Sequence, residues 1–126
     1  MSVTVGIDAV EVRRIQRMLL LSCGRFEQRV WTEREAEYCD GRSDRYAARW
    51  AAKEAVMKAL GLGLASLNLL DIEVVSSEGK RPVLLLHRDA LKEADRQGIE
   101  SWSLSLTHEN GMAMAIVAGN RRCGHE

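Results

Sequence analysis

Cysteine is scarce and unpaired. The chain has three, Cys23, Cys39 and Cys123, in 126 residues. An odd count, long separations and the absence of any C-x-x-C spacing argue against a disulfide framework and against a zinc site, and leave free thiols in a reducing compartment. Net charge is missing too. Eighteen basic residues balance eighteen acidic ones, so the chain as a whole gives no sign of a nucleic-acid or membrane partner. Long apolar runs are absent: Met18-Leu19-Leu20-Leu21 is far shorter than the roughly 20 residues that a membrane-spanning helix needs. No charged, apolar, small-residue sequence resembling a signal peptide opens the chain, and a cytoplasmic protein is expected. No repeat, low-complexity tract, linker, Rossmann signature or P-loop divides it. A single domain over residues 1–126 with a modest core is the expectation.

What is present is patterned. Val3-Thr4-Val5-Gly6-Ile7-Asp8 alternates β-branched residues and reads as a short strand ending in a carboxylate. An arginine-bearing helix follows, with Val10, Ile15, Met18 and Leu19 as its apolar positions and Arg13, Arg14 and Arg17 on the other side. Over residues 1–31, Arg13, Arg14, Arg17, Arg25 and Arg29 outnumber Asp8, Glu11 and Glu27, which marks a local basic patch in a neutral chain. Near the middle, Arg49 to Gly61 reads as a buried helix. Ala48, Ala51, Ala52, Ala55 and Ala59 form a smooth stripe that another element can approach closely. Glu54 and Lys58, four apart, are positioned for a salt bridge, while Lys53 points elsewhere.

Asp71 to Val75 and Pro82 to Leu86 read as strands joined by the polar, glycine-bearing loop 76–81, with Pro82 suited to a strand start. Asp89 to Gln97 reads as a helix with Ala90, Leu91 and Ala94 on its apolar side and Gly98 as a left-handed C-cap. Ser101 to Leu106 alternates small polar with large apolar residues. Met112 to Ala118 is almost wholly apolar, as a strand covered on both faces would be. His108 to Gly111 form the turn between these strands, and Arg121 to Glu126 a loose tail. The sum is an α+β domain, a largely antiparallel sheet packed on a long central helix.

Several of these segments also match a known family in order and in register. Gly6 to Ile15, the Arg49 to Gly61 helix, and Ser103-Leu104-Ser105-Leu106-Thr107-His108 resemble the holo-acyl-carrier-protein synthase family of phosphopantetheinyl transferases. Phe26 to Glu35 is similar to its F-x-x-R-x-x-T-x-x-E segment, and Asp71-Ile72-Glu73-Val74 to its D-I-E-V strand. Gly79-Lys80-Arg81-Pro82 is similar to its G-[KR]-P turn with one extra residue. Trp31 stands where a smaller apolar residue is common, and the loop between Leu60 and Asp71 is short, so carrier selectivity can differ from that of a housekeeping enzyme.

The resemblance implies a 4'-phosphopantetheinyl transferase-like fold that assembles as a homotrimer with active sites between neighbouring subunits. It implies transfer of 4'-phosphopantetheine from coenzyme A to a serine of an apo acyl carrier protein, releasing adenosine 3',5'-bisphosphate. Asp8 and Glu54 match the family's Mg²⁺ ligands; a hard divalent cation suits oxygen donors and a diphosphate under attack. Lys58 is implied as a catalytic phosphate ligand, with Arg49 and Arg45 as further contacts to the coenzyme. Ser105, Thr107 and His108 of the S-x-[ST]-H motif, Pro82, and the close-approach glycines Gly61 and Gly63 complete the implied coenzyme site. His87 and His125 have no such setting. The serine's base stays open between His108 and Glu54 acting through a metal-bound water. Arg13, Arg14 and Arg17, with Met18 beside them, are implied to dock the carrier's acidic helix, whether that carrier belongs to fatty-acid, polyketide or peptide synthesis. A non-catalytic module of the same fold that grips coenzyme A or a carrier, and a Mg²⁺-dependent phosphohydrolase, are the competing classes.

Overall fold

The computed structural model describes residues 2–63 and 66–124; Met1, Leu64, Ala65, His125 and Glu126 lie outside the described residues. The elements run β1 (Val3–Glu11), α1 (Val12–Leu21), α2 (Arg25–Val30), α3 (Glu33–Cys39), α4 (Ser43–Ala59), a 3₁₀ turn (Leu69–Asp71), β2 (Ile72–Val75), β3 (Val83–Leu86), α5 (Arg88–Arg96), β4 (Ile99–Glu109) and β5 (Met112–Arg121). All strand pairs are antiparallel. They form two sheets rather than the single one expected, a three-stranded β1-β5-β4 sheet and a two-stranded β2-β3 hairpin. Among the described residues no helix is long and apolar enough to cross a membrane.

Helix α4 is the centre of the core, and its alanines explain how it sits there. Ala47, Ala51, Ala52 and Ala55 are completely buried, and β1 lies so close that a Cβ built on Gly6 would stand 1.9 Å from the Ala55 carbonyl oxygen. Only a residue without a side chain fits that contact. The expected stripe is therefore the seat of β1, and β1 carries Asp8.

The three-stranded sheet has two unlike faces. Val10, Ala113, Ala115 and Val117 turn inward and are buried. On the other face Val5, Ile7 and Ala9 pair with Ala118, Ile116 and Met114, and these with Ser103, Ser105 and Thr107. Among the described residues of one chain β5 is not covered on both faces: Met114 and Ile116 are 37% and 45% exposed. A run of apolar residues reads alike whether its second face meets the same chain or another, which is why the sequence could not separate the two.

Other boundaries differ for local reasons. Strand β1 continues to Glu11, so Val10 is a strand residue rather than a helical one. The β4-β5 turn shrinks to Asn110-Gly111, whose φ values of 51° and 76° suit a two-residue hairpin; His108 thus belongs to strand β4, not to the turn. Leu91 is exposed, leaving Ala90 and Ala94 as the buried side of α5. Gly98, at φ 78°, follows that helix as expected. The expected tail starts too early: Arg121 closes β5 and its N–H donates to the Ser2 carbonyl, while the Arg122 N–H donates to that of Gly98. All three cysteines are free, and burial pushes the Cys39 thiol up to about 12.

Candidate active site

Asp8 and Glu54 come together where β1 crosses α4. Asp8 pairs with Ala115 in the sheet and faces the helix. Lys58 does not bridge to Glu54 in this structure; its ammonium donates to Asp8 Oδ1 at 3.0 Å and to the Ile7 carbonyl at 3.0 Å. Glu54 is 7% exposed, and its Oε2 is buried with no hydrogen-bond partner among the described residues. Burial, then the neighbouring Asp8 charge, push the Glu54 carboxyl above its ordinary value, against the pull of Lys58 and Arg14. A buried, unpartnered carboxylate oxygen facing a second carboxylate is costly unless a cation is shared between them. That donor set, all oxygen and two acids, fits Mg²⁺, which keeps most of its shell for water and phosphate. Among the described residues no group of three or more His, Cys, Asp or Glu side chains is placed to hold a metal, so the acid pair would leave such a shell open.

Arg45 and Arg49 lie elsewhere. They precede Glu54 by nine and five residues, which at 100° per residue turns them to nearly the opposite side of α4. Both guanidiniums stack on the Tyr38 ring, at 4.6 and 4.7 Å. Arg49 is 5% exposed, donates to the Arg45 carbonyl and to Ser76 Oγ, and has an Nε without a partner among the described residues. Beside them opens a cleft of about 390 Å³ lined by Arg34, Tyr38, Arg45, Ser76 and Glu78. One chain thus separates the acids and Lys58 from the paired arginines.

His108 is a third location. Its Nε2 stands 3.3 Å from Asp44 Oδ2 at the start of α4, an acid also held by Arg42 at 2.8 Å. Ser105 and Thr107 project from the outer face of β4, in the apolar rows described above. Gly61, at φ 73°, ends α4 in the left-handed conformation; Gly63 follows it, and Pro82 immediately precedes β3.

The basic face is present on α1. Arg13, Arg14 and Arg17 are exposed and Met18 is half-buried beside them. Arg25, Phe26 and Arg29 of α2 continue that surface and line a groove of about 600 Å³ with Met18 and Leu21. Arg25 and Arg29 lay within the basic patch read from composition, which was the available signal.

The sequence reading also missed a buried network. Lys53 is fully buried and donates to Glu35 Oε1 at 2.7 Å and to the Leu69 and Ile72 carbonyls at 2.9 and 2.6 Å. Glu35 closes a capping box with Thr32 and accepts from the Val74 N–H at 2.8 Å. Thr32 also donates to Glu73 at 2.6 Å. Burial would raise the Glu73 carboxyl, but hydrogen bonds from Arg34, Thr32 and His87 outweigh it and hold the group at about 2.

The model of the 4'-phosphopantetheinyl transferase superfamily matches residues 4–117. The chain belongs to that superfamily. Among curated phosphopantetheinyl transferases, the holo-[acyl-carrier-protein] synthase of Herpetosiphon aurantiacus is 40% identical, over 90% of this chain and 95% of that protein. That of Anaeromyxobacter dehalogenans is 45% identical, over 90% and 91%. Among solved structures, the Helicobacter pylori holo-[acyl-carrier-protein] synthase in complex with coenzyme A superposes with a TM-score of 0.83 at 32% identity, covering 92% of this chain and 99% of that one. A coenzyme A complex of the Chronobacterium ammoniagenes enzyme gives 0.85 at 27%, covering 97% and 99%. The α+β fold expected from the sequence is the fold of these transferases.

Proposed function

We propose that this chain transfers 4'-phosphopantetheine from coenzyme A to a serine of an apo acyl carrier protein, with Mg²⁺ between Asp8 and Glu54. The observation that carries the reading is the Asp8, Glu54 and Lys58 cluster, with its unpartnered buried Glu54 oxygen, inside a fold whose curated relatives are holo-[acyl-carrier-protein] synthases. The serine oxygen forms a bond to the phosphorus that carries the pantetheine arm. The bond from that phosphorus to the leaving adenosine 3',5'-bisphosphate oxygen breaks, and the serine proton passes to a base.

Each residue has a task in this scheme. Asp8 and Glu54 would hold the cation, which would supply charge neutralisation at the diphosphate. The Lys58 ammonium, beside Asp8, moves onto a phosphate oxygen as a point charge. Arg45 and Arg49 hold the coenzyme's outer phosphates, a role supported by the buried Arg49 Nε that has no partner. Gly61, Gly63 and Pro82 line its path, and Ser105, Thr107 and His108 add hydrogen bonds. His108 and Glu54 are the two candidate bases. Arg13, Arg14, Arg17 and Met18 receive the carrier.

The protein works as a homotrimer, with sites between subunits. This is supported by two features: the apolar outer sheet face, where Val5 and Ile7 are 57% and 60% exposed, and the division of the proposed coenzyme contacts between opposite sides of α4. A ligand touching both sets needs two copies.

Intact mass of an apo acyl carrier protein, incubated with the protein, coenzyme A and Mg²⁺, tests the proposal. One added phosphopantetheine, absent with EDTA and without enzyme, is expected. No addition across several carriers by a folded, trimeric protein refutes it in favour of a binding module. Carrier-independent breakdown of coenzyme A identifies a phosphohydrolase.

A further inference from the structure

Lys53 is adjacent to Glu54 yet belongs to no step above. It is a fully buried lysine, with three short hydrogen bonds to three elements: Glu35 of α3, Leu69 at the 3₁₀ turn and Ile72 of β2. Neighbouring helical residues are rotated by about 100°, so fixing one fixes the direction of the next. Away from Glu54 other ties hold α4, the Trp31 indole N–H on the Tyr46 carbonyl and Arg49 on Ser76 Oγ toward its start, and Lys58 on Asp8 and the Ile7 carbonyl one turn further on; next to Glu54 itself the helix has the buried ties of Lys53. Its contact with β1 is a smooth surface of alanines against a glycine, without the large interlocking side chains that define one setting. A buried ion pair adds little net stability compared with apolar residues of the same size, because desolvation offsets attraction, but it penalises every arrangement that breaks it.

From this we infer that Lys53, held by Glu35 and the Leu69 and Ile72 carbonyls, is a positioning residue that sets the rotation of α4 and so aims the Glu54 carboxylate at Asp8. The inference rests on the Mg²⁺ reading of that acid pair. Lys53 acts on the cation site from outside it, as groups that orient metal ligands do, and such groups carry about 10–100-fold of metal affinity. The 3₁₀ turn is tied to α4 by the same ammonium, so the segment that follows Gly61 and Gly63 returns to a fixed place on the helix.

The test separates orientation from stability. Lys53→Met alone leaves the Glu35 carboxylate buried beside an apolar chain, and is expected to melt early. Lys53→Met with Glu35→Gln removes both charges. The glutamine oxygen can still accept from Thr32 or Val74, and its amide can donate to a carbonyl that Lys53 released. Expected for this double variant are a melting temperature close to wild type and at least about tenfold weaker Mn²⁺ binding, read from free Mn²⁺ by electron paramagnetic resonance with coenzyme A present. The Mg²⁺ concentration for half-maximal transfer should rise in parallel. Wild-type Mn²⁺ affinity in a folded double variant overturns the positioning role, and so does a double variant that fails to fold, since the pair would then stabilise rather than orient. Absence of Mn²⁺ binding by the wild-type protein overturns the metal reading itself, and this inference with it.

Discussion

Replacing Glu54 by glutamine should abolish phosphopantetheine transfer and, at the same time, make the metal-free protein more stable. In the folded chain Glu54 has a buried oxygen without a partner among the described residues, and its carboxyl lies above the ordinary 4.5 because of burial and the Asp8 charge. Between 4.5 and the raised value the folded state holds a proton that the unfolded state has lost. The contribution of this group is therefore complete below pH 4.5 and declines as pH rises through the raised value. A neutral amide escapes that decline and can donate to Asp8. An unsatisfied buried polar group costs about 1–3 kcal/mol, so a gain of about 1 kcal/mol at pH 7 is expected, or about 4 °C in melting temperature for a domain of this size. Differential scanning calorimetry in EDTA, at pH 7 and again near pH 4.5, measures it. The gain should shrink at the lower pH, where the folded state holds a proton on Glu54 more fully than the unfolded state does, and added Mg²⁺ with coenzyme A should stabilise wild type but not Glu54→Gln. A variant that melts below wild type at pH 7, or that transfers normally, refutes the assignment.

Three further outcomes follow from the geometry. Gly6→Ala places a Cβ 1.9 Å from the Ala55 oxygen and 2.9 Å from the Ala59 nitrogen, both backbone atoms. It must push β1 off α4, at a cost of about 3 kcal/mol, seen as a lower denaturation midpoint and lost transfer. Ile116→Asp puts a charge on the outer sheet face, and light scattering should find monomers that are folded by circular dichroism but inactive; an active trimer would sink the interface. Arg14→Glu should raise the carrier KM at least about tenfold at low salt while changing the coenzyme KM little, with the difference narrowing as salt is added.

Much of this was legible from residues because local chemistry and tertiary role agreed. The alanine stripe predicted a close-packed helix, and the close approach of Gly6 is its physical counterpart. The alternation of β4 announced its two faces. Asp8, Glu54 and Lys58 could be named from a family resemblance, and their clustering is a property of the fold. What the sequence hid is where one signal serves two structures. Glu54 and Lys58 at a spacing of four promise a salt bridge, yet Lys58 turns to Asp8, a residue 50 positions away, because the sheet presents a better acceptor there. Lys53 could be read only as pointing away from Glu54 and Lys58, since no local pattern distinguishes a solvated lysine from one whose charge meets Glu35 after the chain has folded.

The arginines carry the same lesson to the assembled site. Arg45 and Arg49 belong with Glu54 in the sequence motif but turn away from it on the helix, a consequence of 100° per residue that no motif expresses. Either the arginines serve structure alone, or a second copy brings its own pair to the acids of the first. The buried, unpartnered Arg49 Nε argues for the second, because a structural arginine stacked on Tyr38 would be expected to use all its donors. Mixed assemblies of two variants decide between them. Subunits with Glu54→Gln combined with subunits carrying Arg49→Ala should regain activity if each site draws its acids from one copy and its arginine from the next. Both parents should be inactive alone, and a random mixture should restore a fraction of wild-type turnover set by the share of correctly paired neighbours. If every site is built within one chain, the mixture stays as inactive as its parents.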